Sequence, residues 1–232
     1  MKDSSQPEFS RRQLLRTGLT ATAAAFLTGG RDLAFPSQAQ AQSKLTPDAA
    51  LAELMDGNKR FTSGGMTAYE QDLAILKQHT EQKQEPFAAV LSCADSRVPV
   101  ELVFDQTIGH IFVTRVAGNI ITPEIIGSLE FGAAVLGTKV ILVMGHSNCG
   151  AVKATIQGKE VPGQISSLFP HIQPGVDQGG SDLVAATKAN AMVQARLLRE
   201  SSTVISGMVK SGGVKVTSGY YDVGTGTVTL LE

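Results

Sequence analysis

An α/β fold, built on a mainly parallel β-sheet flanked by helices, is what this chain of 232 residues predicts. Two uninterrupted apolar runs, Phe87-Ala88-Ala89-Val90-Leu91 and Val140-Ile141-Leu142-Val143-Met144, have the length of strands covered on both faces. Helical patterns lie between and after them, and such alternation favours parallel pairing. Each run leads straight into residues that carry chemistry, which places those residues at the carboxyl ends of strands, where open α/β sheets bind ligands.

The remaining elements follow in order. Thr46-Pro47-Asp48 is a helix start, with an oxygen-bearing cap, a proline in the first turn and an early acid. Leu51, Leu54, Met55 and Phe61 continue it at helical spacing, and Asn58 interrupts the apolar stripe. The stripe suits docking on the chain's own core. A second helix is expected from Gln71 to His79, then a polar linker from Glu81 to Pro86, and a strand from Ile111 to Val116. Pro123 and Glu124 open a helix reaching Leu136. A further helix covers Ala151 to Ile156, with a turn from Gly158 to Gly163. Gln173 to Ser181, rich in glycine and polar groups, reads as an exposed loop, and Asp182 to Glu200 as a long helix. Val214-Lys215-Val216 and Val228-Thr229-Leu230-Leu231 are short strands separated by the turn Gly224-Thr225-Gly226-Thr227.

The first 41 residues are of another kind. Ser10-Arg11-Arg12-Gln13-Leu14-Leu15 precedes a weakly apolar stretch from Thr17 to Leu27, and Ala39-Gln40-Ala41 offers a small-residue cleavage site. This is the order of an export signal, and the paired arginines resemble a twin-arginine leader. Residues 1–41 are therefore read as a signal peptide and 42–232 as a single domain, exported to the periplasm or, in a photosynthetic host, the thylakoid lumen. The chain carries a net charge of −1 and 42% apolar residues. No basic patch suggests a nucleic-acid surface, and no apolar stretch reaches the roughly 18 residues of a stable membrane span.

The only two cysteines, Cys93 and Cys149, sit with His146 directly after the two apolar runs. Two thiolates and an imidazole are the donors that zinc prefers, and three protein ligands leave a tetrahedral position open for chemistry. His146 and Cys149 are three apart, so a helical turn would set them on one face. Asp95 and Arg97 lie beside Cys93 and are suited to pair. Cys93 alone reads first as an inert core thiol; the joint pattern points to a metal. An exported chain also allows a Cys93–Cys149 disulfide, against which the flanking histidine and carboxylate favour metal. His79, His110 and His171 lack companion ligands.

These runs, Cys93-Ala94-Asp95-Ser96-Arg97-Val98-Pro99, Arg115-Val116-Ala117-Gly118-Asn119, Gly127-Ser128-Leu129-Glu130, Gly145-His146-Ser147-Asn148-Cys149-Gly150 and Gly219-Tyr220-Tyr221-Asp222, resemble the β-class carbonic anhydrases, from about Leu45 to the C-terminus. The resemblance implies one zinc ion per subunit on Cys93, His146 and Cys149, with Asp95 and Arg97 as a catalytic dyad. It implies reversible hydration of carbon dioxide to bicarbonate and a proton by zinc-bound hydroxide. Family positions lining the substrate pocket fall on Gln84, Val98, Phe112, Ala117, Phe131 and Gly145; Gln84 could donate a hydrogen bond to bicarbonate, and Phe112, Ala117 and Phe131 read equally as ordinary core. Gln84 and Phe112 would approach from the partner of an obligate homodimer, which in some members pairs into tetramers.

Some members let the aspartate enter the zinc's open position at low pH, and carry a tryptophan three residues before the first cysteine in a regulatory bicarbonate pocket. Val90 stands there in a chain without tryptophan, although Arg115 matches another residue of that pocket. Two thiolates cancel the zinc charge, so its water should be less acidic than in a three-histidine site, and activity is expected to rise between about pH 7 and about pH 8.5. Two other functions share the ligand set: hydrolysis of carbonyl sulfide or carbon disulfide, and zinc or thiol binding without turnover.

Overall fold

In the computed structural model, which describes residues 43–68 and 84–231, both apolar runs are buried central strands. The predicted leader and the helix expected from Gln71 to His79 lie outside the described residues. The elements are α1 (Pro47–Ser63), β1 (Ala88–Ser92), α2 (Val100–Val103), β2 (Ile111–Arg115), α3 (Pro123–Glu130), β3 (Val140–His146), α4 (Gly150–Gln157), α5 (Phe169–Gly179), α6 (Leu183–Ser201), α7 (Thr203–Lys210), β4 (Lys215–Tyr221) and β5 (Val228–Leu230). The five-stranded sheet has the order β2-β1-β3-β4-β5. Its first four strands run parallel, and β5 returns antiparallel against the end of β4. The mainly parallel α/β fold expected from the sequence is therefore present.

Side chains alternate between two covered faces, which explains why residues 88–91 of β1 and 140–144 of β3 are apolar at every position. Ala88, Val90, Val140, Leu142 and Met144 join one core with Ala50, Leu51 and Leu54 of α1 and with Phe104. Ala89, Leu91, Ile141 and Val143 face the other way, into a core with Leu129, Leu198 and Ile205. The α1 stripe thus docks on the chain's own core. Asn58, which interrupts it, is a buried staple: its Nδ2 donates to the carbonyls of Val103 at 3.1 Å and Gly226 at 2.8 Å, and its Oδ1 accepts from Val228 N–H at 2.9 Å. The helix start is as expected, with Ala49 N–H donating to Thr46 Oγ1.

Arg60, at the end of α1, donates through Nε to Asp105 Oδ2 at 2.6 Å, and the N–H groups of Thr67 and Ala68 donate to Asp105 Oδ1. Burial alone would raise the Asp105 pKa, but the Ala68 amide, the Arg60 guanidinium and the Thr67 amide together hold it below the ordinary carboxylate value. A depressed folded-state pKa stabilises the fold above the unfolded value of about 3.9 and ceases to do so as pH falls through the folded value. Asp105→Asn should therefore cost about 1–3 kcal/mol at neutral pH and flatten the loss of stability on acidification below about pH 4. Urea unfolding of both proteins across that range checks this, and parallel acid slopes would contradict it.

Three expectations need correction. The stretch from Gln173 to Ser181 is not an exposed loop: most of it belongs to α5, with Pro174 inside the helix. Two of its three glycines are packing sites, because a Cβ on Gly175 would stand 2.5 Å from Asn190 Cα and one on Gly179 2.3 Å from Ala186 Cα. They let α5 lie directly on α6. The strand expected at Val214–Val216 runs on to Tyr221: Thr217 and Ser218 are buried and pair with β3, and Gly219, Tyr220 and Tyr221 pair with both β3 and β5. The helix opened by Pro123 is α-helical only to Glu130, and Phe131–Val135 form a π-turn.

Candidate metal centre

Parallel register brings the two ligand runs together. Ser92 of β1 pairs with Met144 of β3, so Cys93, one residue past β1, emerges beside Gly145 and His146. Cys149 is the residue before α4. It meets His146 through a turn at Ser147 and Asn148, with Asn148 in the left-handed region at φ 54°, and not along one helical face as the spacing suggested. One ligand atom from each of Cys93, His146 and Cys149 lies within 4.8 Å of the others, and all three residues are buried. Both cysteines are free thiols, so no disulfide joins them.

The donor set fits a zinc ion. His146 Nδ1 lies 2.9 Å from the Ser147 carbonyl oxygen, which only accepts, so Nδ1 carries the proton and Nε2 is left as a lone-pair donor. Nε2 is buried with no hydrogen-bond partner among the described residues, a cost that a ligated metal removes. The two thiols share protons unequally. Cys93 is pulled well down by its hydrogen bond with Cys149, against the effect of burial, and the Gly118 N–H helps at 3.4 Å from Sγ. Cys149 is pushed up by the same neighbour and by burial. A metal ion that displaces the remaining proton turns both into thiolates.

Asp95 and Arg97 form the expected pair. Arg97 Nε donates to Asp95 Oδ1 at 2.9 Å and Nη2 to Oδ2 at 2.7 Å. The guanidinium first, aided by the Arg97 backbone N–H, holds the Asp95 carboxyl well below the usual carboxylate range. The segment is a turn and not extended, since Val98 N–H donates to the Asp95 carbonyl at 3.1 Å. The Asp95 side chain is 19% exposed, and its Oδ2 stands 3.9 Å from His146 Nε2, at the edge of the donor cluster. Arg97 Nη2 also reaches the Asn148 carbonyl at 3.3 Å, tying the dyad to the second ligand run.

The pocket positions divide. Gly145 and Ala117 adjoin His146 and Gly118, and a Cβ on Gly145 would stand 3.0 Å from Thr187 Cγ2, so this glycine also admits α6. Val98 is wholly buried in the core beneath α1. Phe112 pairs in register with Ala89, four residues before Cys93, and its ring lies 6.4 Å from that of Phe131. Gln84 precedes β1 and is exposed. Within one chain, Gln84 and Phe112 are thus at the other end of β1 and β2 from the donor cluster.

Arg115 has a role its motif did not announce. Its Nε donates to the Cys93 carbonyl at 3.1 Å and its Nη2 to the Asp95 carbonyl, gripping the ligand loop by its backbone. Gly118, at φ 78°, could not be another residue without strain, and a Cβ there would stand 2.6 Å from Ile172 Cδ1. Among the other histidines, His110 Nδ1 lies 3.0 Å from Thr107 Oγ1, and the His171 carbonyl accepts from Gln194; neither joins the cluster.

Known proteins share this chain's sequence and fold. The carbonic anhydrase family profile matches residues 88–228. A carbonic anhydrase of Mycolicibacterium smegmatis is 34% identical over 194 residues, covering 79% of this chain and 93% of that protein. A β-carbonic anhydrase of Coccomyxa, solved in complex with acetazolamide, superposes with a TM-score of 0.61 at 25% identity, over 78% of this chain and 86% of that one. One of two tetrameric β-carbonic anhydrases of Sordaria macrospora shares the fold with a TM-score of 0.63 at 20% identity, over 71% of this chain and 91% of its own. With its candidate ligand runs at the ends of adjacent parallel strands and its family match running from the start of β1 to the start of β5, the chain is an enzyme of the β class of the carbonic anhydrase family.

Proposed function

We propose that this enzyme interconverts carbon dioxide and bicarbonate on a zinc ion held by Cys93, His146 and Cys149. The observation that carries the reading is the buried three-donor cluster with the ionised Asp95 carboxylate at its edge. Zinc bound there supplies Lewis-acid chemistry, lowering the pKa of a water molecule towards neutrality. Asp95 accepts a hydrogen bond from the attacking oxygen and aims its lone pair at the substrate carbon. Arg97 keeps Asp95 charged and, by occupying both carboxylate oxygens, holds it away from the metal's open position. Water adds across one C=O bond, so the products are bicarbonate and one proton, which passes to solvent. Metal analysis combined with stopped-flow hydration tests the reading.

The working unit proposed is a homodimer. β2 is an edge strand whose Ile111, Phe112 and Val113 are only partly buried, and Phe131 beside it is 47% exposed. An apolar sheet edge of this kind is suited to cover by a second copy. Gln84 and Phe112 lie far from their own metal cluster, so a role at the metal requires that copy. Phe131→Lys, a change at an exposed position, should shift the protein from dimer to monomer in light scattering and lower hydration activity with it. A fully active monomer would contradict the dimer reading. Export is proposed on the leader alone, and N-terminal sequencing of the protein recovered from its host should begin near Gln42.

A further inference from the structure

We infer that Asn190 and Gln194, on the buried face of α6, are positioning residues for the Cys93 ligand, acting through the Gly118 amide. The inference rests on the metal reading above. Five hydrogen bonds form a continuous chain. Gly118 N–H donates to Cys93 Sγ at 3.4 Å, and the Gly118 carbonyl accepts from Asn190 Nδ2 at 2.9 Å. Asn190 Oδ1 accepts from Gln194 Nε2 at 3.1 Å. The same nitrogen donates to the His171 carbonyl at 2.7 Å, and Gln194 Oε1 accepts from Ile121 N–H at 2.8 Å. Asn190 therefore holds the start of the 118–121 stretch and Gln194 its end.

Both amides are fully buried on a helix whose other buried residues are apolar except for Thr187, which donates to its own helix at the Leu183 carbonyl. Buried amides are costly unless paired. The partners they take are backbone groups of the loop that meets the sulfur, with His171 as the outer anchor. Gly118 is in the left-handed region, where a small rotation redirects its N–H. Its N–H and C=O lie in the two peptide planes that meet at its Cα. Anchoring the carbonyl plane, with the Ile121 amide held beyond it, restrains through that Cα where the N–H points and thereby the hydrogen bond to the thiolate. Groups that orient a metal ligand from behind in this way typically affect metal affinity by about 10–100-fold. Asn190 and Gln194 touch neither metal nor substrate; their effect passes through Gly118 to Cys93.

The test uses the reduced, full-length protein loaded with zinc, and competition with a chelator to obtain the zinc Kd. Asn190→Leu and Gln194→Met should each raise that Kd by about 10-fold or more. Leu54→Ala, a core truncation on the opposite face of the sheet, should leave it within about threefold while lowering the metal-free melting temperature. If the two amide variants lower the melting temperature yet match Leu54→Ala in zinc Kd, their role is structural and the inference is overturned. Should Asn190→Leu fail to fold, Gln194→Met decides, since it keeps the side chain's length without the amide. In cadmium-113-substituted wild-type protein, the Gly118 amide proton should show coupling to the metal through Cys93 Sγ, and its absence would equally overturn the inference. A wild-type protein that binds no zinc would instead remove the metal reading itself, so the two failures are distinct.

Discussion

Replacing Cys149 with serine should empty the metal centre and lower carbon dioxide hydration by roughly a thousandfold or more. A serine hydroxyl stays protonated at neutral pH, where a metal-bound thiol does not. The remaining Cys93 and His146 would then have to hold zinc with two donors. Cys149 is wholly buried, and serine differs from it by a single atom, so the fold should survive. The rate loss follows from losing the Lewis acid, without which water keeps a pKa of about 15.7. Metal analysis after dialysis and the hydration rate should fall together. A serine variant that retains one zinc per chain and wild-type activity would show that Cys149 is no ligand.

The second large effect separates catalysis from metal binding. Asp95→Asn should keep its zinc yet lose on the order of 100-fold in kcat/KM, the usual scale for removing a positioned acid–base group. Asp95 lies outside the three-donor cluster, 3.9 Å from His146 Nε2, which is why the metal should stay. The amide presents one acceptor where the carboxylate presents two, so the paired grip of Arg97 is lost as well. Zinc content unchanged with a rate unchanged would leave the Asp95–Arg97 pair as a loop brace only. Zinc content falling with the rate would make Asp95 a support of the metal.

Much of this was legible in the residues. The β1 and β3 runs are apolar at every position because both faces of the sheet are covered, so they stood out against the turns around them. Cys93, His146 and Cys149 followed from the donor types at the ends of those runs. The misreadings have local causes. Gly175, Gly179 and Pro174 look like loop residues, but the glycines serve the close approach of α5 to α6, a tertiary reason that overrides helix propensity. The i, i+3 spacing of His146 and Cys149 suggests a helix, whereas a left-handed Asn148 does the turning. Asn190 and Gln194 left a faint signal, two amides four residues apart on the buried side of a helix. Besides each other and the His171 carbonyl, their partners are backbone groups 72 and 73 residues away, which no local pattern encodes.

The resemblance and the single chain also differ in scope. Gln84 and Phe112 belong to the pocket only if a second copy supplies them, because β1 and β2 carry them away from the cluster. Residue type and spacing identify such positions but carry no information on which chain they serve. Phe131, exposed beside Phe112, is the residue on which the proposed dimer can be tested.

One measurement bears most directly on the whole reading: stopped-flow carbon dioxide hydration by the reduced protein as zinc is removed and restored, with carbonyl sulfide and carbon disulfide assayed beside it. Hydration should vanish with the metal, return in proportion to zinc up to one ion per chain, and exceed turnover of either sulfur compound. A reduced, zinc-loaded protein without hydration above buffer from about pH 6.5 to about pH 9 would contradict it.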